Sequence, residues 1–214
     1  MAPFDFKKEY KELYLPKGTP SIISIPEMRF IMVQGKGNPN TSDYYKEAVE
    51  LLYGISYSIK MSKKKEAPAG YFDYVVPPLE GLWWFENNFF DGSVMNRKDE
   101  FSWMMMIRQP DFVTSQVFEM AKKNLKRKKP EIDTSIVKLE TFNEGLCAQV
   151  MHIGPYDDEP ATVALLEAFI DSQGYRTLMS GMRQHHEIYL SDPRKSDLAK
   201  LKTVLRHPIE KKCS

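Results

Sequence analysis

A pattern that occurs twice limits the fold of this chain more than any other feature. IMVQGKGNPN, residues 31–40, passes from an apolar strand through a glycine turn into helical spacing. QVMHIGPYDDEP, residues 149–160, makes the same passage. Strands return after each helix. Units of the form strand–helix–strand–strand bury one sheet face under the helix and leave the other face free. The expected fold class is α+β.

The elements follow from periodicity and breakers. Residues 5–14 are expected to form a short outer helix, broken at Pro16, Gly18 and Pro20. SIISIPEMRFIMVQGKG, residues 21–37, is expected to be a strand, with Pro26 marking an edge, a bend or a bulge. Asn40, Thr41 or Ser42 caps a helix over 43–60, whose apolar positions are Tyr44, Ala48, Leu51, Leu52, Ile55 and Ile59. The lysines of KMSKKKEAPAG read as a solvated loop. Strand character resumes over 80–86 after Pro77-Pro78. The loop NNFFDGSVMNRKDE then leads into the strand FSWMMMIRQP. A helix over 113–129 carries the stripe Val113, Val117, Met120, Ala121 and Leu125. Its basic end suits a helix C-terminus. SIVKLETF and GLCAQVMHIGPY read as two strands about a turn at Asn143–Gly145. A helix over 157–171, a strand over 185–190 and a short closing helix in DLAKLKTVLRHPI complete the expected order. We expect one domain over 1–214, with half-modules of about 20–110 and 111–192 and a tail from 193.

Composition excludes several classes. There are 30 basic and 29 acidic residues, a net charge of +1. That balance opposes direct binding of nucleic acid. No secretory signal and no membrane span is legible, so the cytoplasm is the expected location. Cys147 and Cys213 stand in no metal-binding spacing. No cofactor is expected, and the oligomeric state is open between monomer and homodimer.

The chemistry concentrates in HHEIYLSDPRK. Alternate residues of a strand share a face, so His185, Glu187 and Tyr189 look one way while Ile188 and Leu190 turn to the core. Of the consecutive Trp83 and Trp84, one is core and the other is left for the free face. Trp103 and the run Met104–Met106 add polarizable surface. Glu80 shares a face with Trp84 and is a second candidate acid if that face lines the cleft. Tyr53 and Tyr57, four apart on the first helix, are core or cleft edge. His185 and His186 are adjacent and cannot both face a cleft, and no third ligand is evident, so no metal site is expected. His152 reads as structural. An apolar, aromatic slot holding one carboxylate suits a planar, often cationic molecule.

Residues 20–35, PPLEGLWW, HHEIYLSDPRK and the two glycine turns resemble the GyrI-like small-molecule-binding family, in its longer stand-alone members, over about residues 15–210. The resemblance implies a tandem pair of β-α-β-β (SHS2-type) modules in pseudo-two-fold arrangement about a central cleft. Members of the family are drug-sensing domains of regulators, a gyrase-protecting protein, and hydrolases of cyclopropane-bearing DNA-alkylating toxins. In the sensors a buried glutamate meets the cationic ligand, and Glu187 corresponds to it. The hydrolases use an acid and a tyrosine in the cleft, for which Glu187 and Tyr189 are the candidates. Trp84, Trp103, Glu80, His185, Tyr53 and Tyr57 are the expected ligand contacts. With the family region beginning near residue 15, there is no room for a helix-turn-helix. Three functions follow as alternatives: a hydrolase of cyclopropanoid genotoxins, a multidrug-binding or sensing protein, and a protein shielding gyrase. The near-neutral charge ranks the last lowest.

Overall fold

A computed structural model describes residues 2–64, 67–86 and 97–212. Cys213 and most of the expected loop NNFFDGSVMNRKDE lie outside the described residues. Two short helices, α1 (Phe6–Glu9) and α2 (Lys11–Tyr14), precede strand β1 (Ser21–Lys36) and helix α3 (Asp43–Lys60). Strands β2 (Leu79–Trp84) and β3 (Ser102–Arg108) follow, then α4 (Ser115–Lys128), β4 (Lys138–Ile153) and α5 (Glu159–Ser172). Strands β5 (Tyr175–Thr177), β6 (His185–Tyr189) and β7 (Lys202–Lys211) close the chain. The fold is α+β. No described helix is long and apolar enough to cross a membrane.

The strands do not form two sheets about a cleft. They form one seven-stranded antiparallel sheet in the order β4-β1-β3-β2-β6-β7-β5, and β4 pairs again with β7, so six of the strands close into a barrel with β5 added on β7. Closure comes from the two 16-residue strands. β1 and β4 pair with each other from Ser21↔Gln149 to Met32↔Lys138, and each then reaches a second partner, β3 or β7. Strands that long have residues left over on both sides, and the second partners take them up.

Three expectations are corrected. The turn at Asn143–Gly145 does not exist: β4 runs through it in one register, Ile25 opposite Gly145 and Glu27 opposite Asn143. Gly145 instead takes φ 70°, a left-handed conformation that glycine adopts freely. Across it the inward face changes phase, so that Glu144 and Gln149 both bond to Arg206. The expected closing helix in DLAKLKTVLRHPI is strand β7, because Thr203, Val204, Leu205, Arg206 and His207 alternate between two buried faces. Met120 is 55% exposed and is no part of the α4 stripe, which has Phe118, Ala121 and Leu125 buried and Val117 packed beside them, partly buried. Pro26 keeps the register; it lies where β1 has β4 on one side and has not yet met β3, which joins at Phe30. Gly54 has a packing role, since a Cβ there would stand 3.0 Å from Leu125 of α4.

Both faces of the barrel wall are buried along β2, β3, β6 and most of β7. Helix α3 covers β1 and β3 from outside, and α5 covers β4 and β5. The inside holds a charged network. His186 on β6 bonds through Nδ1 to Glu144 at 3.0 Å and through Nε2 to Glu80 at 3.1 Å. Arg206 on β7 donates to Glu144 at 2.9 Å, to Gln149, and to the carbonyl of Leu13 at 2.8 Å. Gln149 donates to the carbonyl of Glu12, and the Tyr14 hydroxyl to Glu80. The N-terminal turns are thus latched to the barrel interior. An imidazole with a carboxylate at each nitrogen is a double donor and carries charge. Burial opposes that charge, but Glu144 and Glu80 raise the His186 pKa to about 9. Burial also opposes the Glu144 charge, yet His186 and Arg206 lower its pKa to about 2.

The sign of the pH dependence follows. A histidine raised from 6.5 to about 9 contributes stability fully below 6.5 and loses it as pH rises through 9. At ~1.36 kcal/mol per pKa unit, that contribution is about 3 kcal/mol. Glu144 contributes above 4.5 and is lost as pH falls toward 2. Urea midpoints should therefore peak between these limits and decline on both sides. Glu144→Ala, which leaves the buried Arg206 without its carboxylate, should cost about 3–5 kcal/mol in the same assay.

Candidate functional site

The outward face of β6 lies between the areas covered by α3 and α5. Period-2 alternation puts His185, Glu187 and Tyr189 on this face, opposite Trp83, Gly81 and Leu79 of β2. Glu187 is 8% exposed, so it belongs to neither the wet surface nor the sealed core. The first turns of both long helices converge on it. Tyr45 comes from the start of α3, Glu159 from the start of α5, and Tyr156 from the short turn just before α5. The electropositive end of a helix favours an anion nearby.

Trp83 Nε1–H donates to the Tyr189 hydroxyl at 2.9 Å. That fills one lone pair of the phenol and leaves its own proton for the Glu187 carboxylate beside it. Burial first, and then the Glu187 charge, push the Tyr189 pKa well above its ordinary value. Tyr45 is raised by burial and by Glu187 as well, and Tyr156 is pushed up to about 12 by burial, Glu187 and Glu159. Three phenols that stay protonated therefore surround one acid. Two glycines make room for the aromatic side chains of this face. A Cβ at Gly81 would stand 2.8 Å from Trp83 Nε1 and 3.2 Å from the Tyr189 oxygen. A Cβ at Gly35 would fall 2.2 Å from the Trp103 ring.

Glu159 was not legible as a site residue. It is buried, and its Oε1 has no partner among the described residues. Burial, followed by the negative charge of Glu187, raises its pKa well above the carboxylate range. A neutral acid thus stands beside an acid that phenols and an imidazole solvate. Environments that separate two carboxyls in this way assign them different proton roles.

Glu159, His185 and Glu187 each offer a ligand atom within 4.8 Å of the others, the third partner that the sequence did not reveal. Both His185 nitrogens are engaged, Nε2 with Glu187 at 3.2 Å and Nδ1 with His207 at 2.6 Å.

The other expected contacts divide. Trp103 is fully buried on the outward face and meets Tyr45 edge-on at 5.2 Å. Trp83, not Trp84, shares the Glu187 face; Tyr45 lies 6.1 Å from it. Trp84 pairs with Ser102 on the inward phase together with Glu80. Glu80 is inside the barrel, bonded to His186 and Tyr14, and does not reach Glu187's face. Tyr53 and Tyr57 stack at 6.4 Å on α3, and Tyr57 is 52% exposed. They are set two and three turns along the helix from Tyr45. His152 bonds to Thr162 and to the Pro155 carbonyl, holding the start of α5. Two open grooves, of about 600 and 500 Å³, lie elsewhere, beside Arg29 and Thr141 and along Met120 and Arg127. Neither brings titratable groups together as the β6 face does, so the site is placed by its chemistry.

Residues 18–210 match the model of the GyrI-like small molecule binding domain. No curated protein matches the chain. An uncharacterized conserved protein from Listeria innocua is 50% identical, with a TM-score of 0.91 over 97% of this chain and 100% of that one. A hydrolase from Listeria innocua is 48% identical, with a TM-score of 0.86 over 97% and 100% of the two chains. The EcmrR C-terminal domain, 15% identical over 91% and 98%, has a TM-score of 0.54 and shares the fold.

The hydrogen bond between Trp83 and Tyr189 gives a direct test of the site's packing. Tyr189→Phe leaves a buried indole N–H without its acceptor and should destabilise the protein by about 1–3 kcal/mol in urea denaturation. Gly81→Ala should lower the midpoint and alter tryptophan fluorescence, because its methyl group displaces the Trp83–Tyr189 pair.

Proposed function

Since this chain belongs to the GyrI-like small-molecule-binding domain family, we propose that the β6 face takes a planar electrophile and opens its strained ring with water. The observation that carries this reading is the pairing of two unlike carboxyls, Glu187 and Glu159, within a ring of protonated phenols. In the proposed reaction Glu187 removes a proton from water as the water oxygen bonds to a cyclopropane carbon. The C–C bond breaks, and its electron pair moves onto the conjugated carbonyl oxygen. Tyr189, kept protonated by burial, turns its hydrogen bond from Glu187, as that acid takes the water proton, to the carbonyl oxygen as its charge develops. Glu159 is a neutral acid placed to return a proton. The 48% identical hydrolase from Listeria innocua supports hydrolysis as the class of reaction. Cyclopropane-bearing genotoxins are the substrate class we propose, which would make the protein a detoxifying enzyme. We also read residues 1–214 as one domain whose halves, β1-α3-β2-β3 and β4-α5-β6-β7, are the tandem modules.

A second reading rests on the aromatic side chains. Tyr45, Tyr156 and Trp83 stand about one carboxylate, which suits a cationic aromatic compound held without turnover. Here Glu187 would be the counter-ion.

Turnover separates the two. Incubation with a cyclopropane-bearing electrophile should give a product heavier by one water, and Glu187→Gln should slow its appearance by about 10²- to 10⁴-fold. Recovery of the compound unchanged from wild-type protein, with tryptophan quenching that weakens in Glu187→Gln, would establish the binding reading instead.

A further inference from the structure

The Glu187 carboxylate is one end of a hydrogen-bonded row that leads out of the site. His185 Nε2 lies 3.2 Å from Glu187 Oε1. His185 Nδ1 lies 2.6 Å from His207 Nε2. His207 Nδ1 lies 2.5 Å from Glu167 Oε1 on α5. Both imidazoles are buried, whereas the Glu167 side chain is 43% exposed. Four titratable groups from β6, β7 and α5 thus join a sheltered acid to water.

We propose that His185, His207 and Glu167 form a proton path connecting Glu187 to solvent beside α5. The inference rests on Glu187 being the proton-accepting group of the site. The row has three gaps, and each needs one proton. Two neutral imidazoles supply two, so the fully bonded row holds one proton more. That proton has two placements. In the first, Glu187 is protonated, both imidazoles carry hydrogen on Nδ1, and Glu167 is a carboxylate. In the second, the Glu187 proton has passed to His185 Nε2, the His185 Nδ1 proton to His207 Nε2, and the His207 Nδ1 proton to Glu167. No bond other than N–H and O–H changes, both imidazoles stay neutral, and the negative charge passes from Glu167 to Glu187. Glu167 then releases its proton to water. Thr177 of β5 donates to both Glu167 oxygens at 2.8 Å and fixes the carboxylate's position.

The electrostatics agree with this direction. Partial burial opposes charge on Glu167, yet the hydrogen bond from His207 keeps its pKa below the ordinary value. Burial lowers the His185 pKa, and His207 adds to the effect. The outer carboxylate is thus easily ionised, and the inner imidazole passes a proton without keeping it. The other titratable groups facing the row are Glu159 at the start of α5, Tyr156 just before it, Tyr45 on α3, Tyr189 on β6, and His186 on the opposite face of β6. His185, His207 and Glu167 act through Glu187 and are positioning residues.

The test uses the free protein, labelled with ¹⁵N in its 4 histidines. In the proposed path, His185 and His207 share one macroscopic titration step. Glu167→Gln removes an anion that one imidazole, His207, separates from His185 and should lower that shared step by about 1 pH unit or more, as read on the His185 nitrogens. Glu187→Gln should lower the same step as read on His207. If Glu167→Gln moves His207 alone and leaves the His185 nitrogens unchanged, the path is refuted. Thermal melting of each variant checks that the fold is retained. For turnover, Glu167→Gln should reduce kcat and leave KM unchanged. Failure of the ring-opening reaction is distinguishable from failure of the path, because the titration is read without substrate.

Discussion

Everything functional in this protein depends on the closure of its sheet. Once β1 and β4 pair with each other and then with β3 and β7, every strand has an inside and an outside, and along β2, β3, β6 and most of β7 both are largely dry. A buried polar group is tolerated only with partners. The chain answers this on both faces with bonded networks of carboxylates and imidazoles. Adjacent residues of β6 serve both. His186 joins Glu144 and Glu80 within the barrel, while His185 joins Glu187 and His207 outside it. The wall between them is one peptide thick.

The two networks have opposite characters. Inside, Glu144, His186 and Arg206 are fixed in their charged forms, and that network anchors the N-terminal turns. Outside, Glu159 is held neutral and His185 is biased toward neutrality. The inner set contributes to the fold in the pH range where cells live. The outer set has protons that can be gained and lost. A barrel whose interior is chemically settled can carry a site whose protonation is not.

Much of this was legible from period-2 counting. The face shared by His185, Glu187 and Tyr189 was correctly assigned, because β6 is short and regular. The counting fails where it assumes that only one face is buried. Glu80 and Trp84 were grouped together correctly but on the inward face, and no local signal says which of two apolar faces encloses a barrel. Gly145 was read as a turn because a glycine beside Asn143 and Glu144 is a common turn signal. In β4 the same residue absorbs a change of phase within a strand. The strand β7 was missed because Leu198, Leu201 and Leu205, of which only the last lies in the strand, mimic helical spacing. Glu159 and Tyr156 were hidden for another reason. They sit at or just before the start of a helix, where an acid is ordinarily a solvated partner of the helix end, and only the approach of α5 to β6 buries them.

The latch on the N-terminal turns has an evolutionary corollary. Arg206 and Gln149 hold the main-chain carbonyls of Leu13 and Glu12, and these acceptors exist whatever amino acid occupies the position. Replacement at Glu12 would therefore leave the attachment whole. Insertion or deletion of one residue before Tyr14 would rotate the carbonyls away from the guanidinium and the amide. Selection on this segment should accordingly preserve its length and spacing more strictly than its letters.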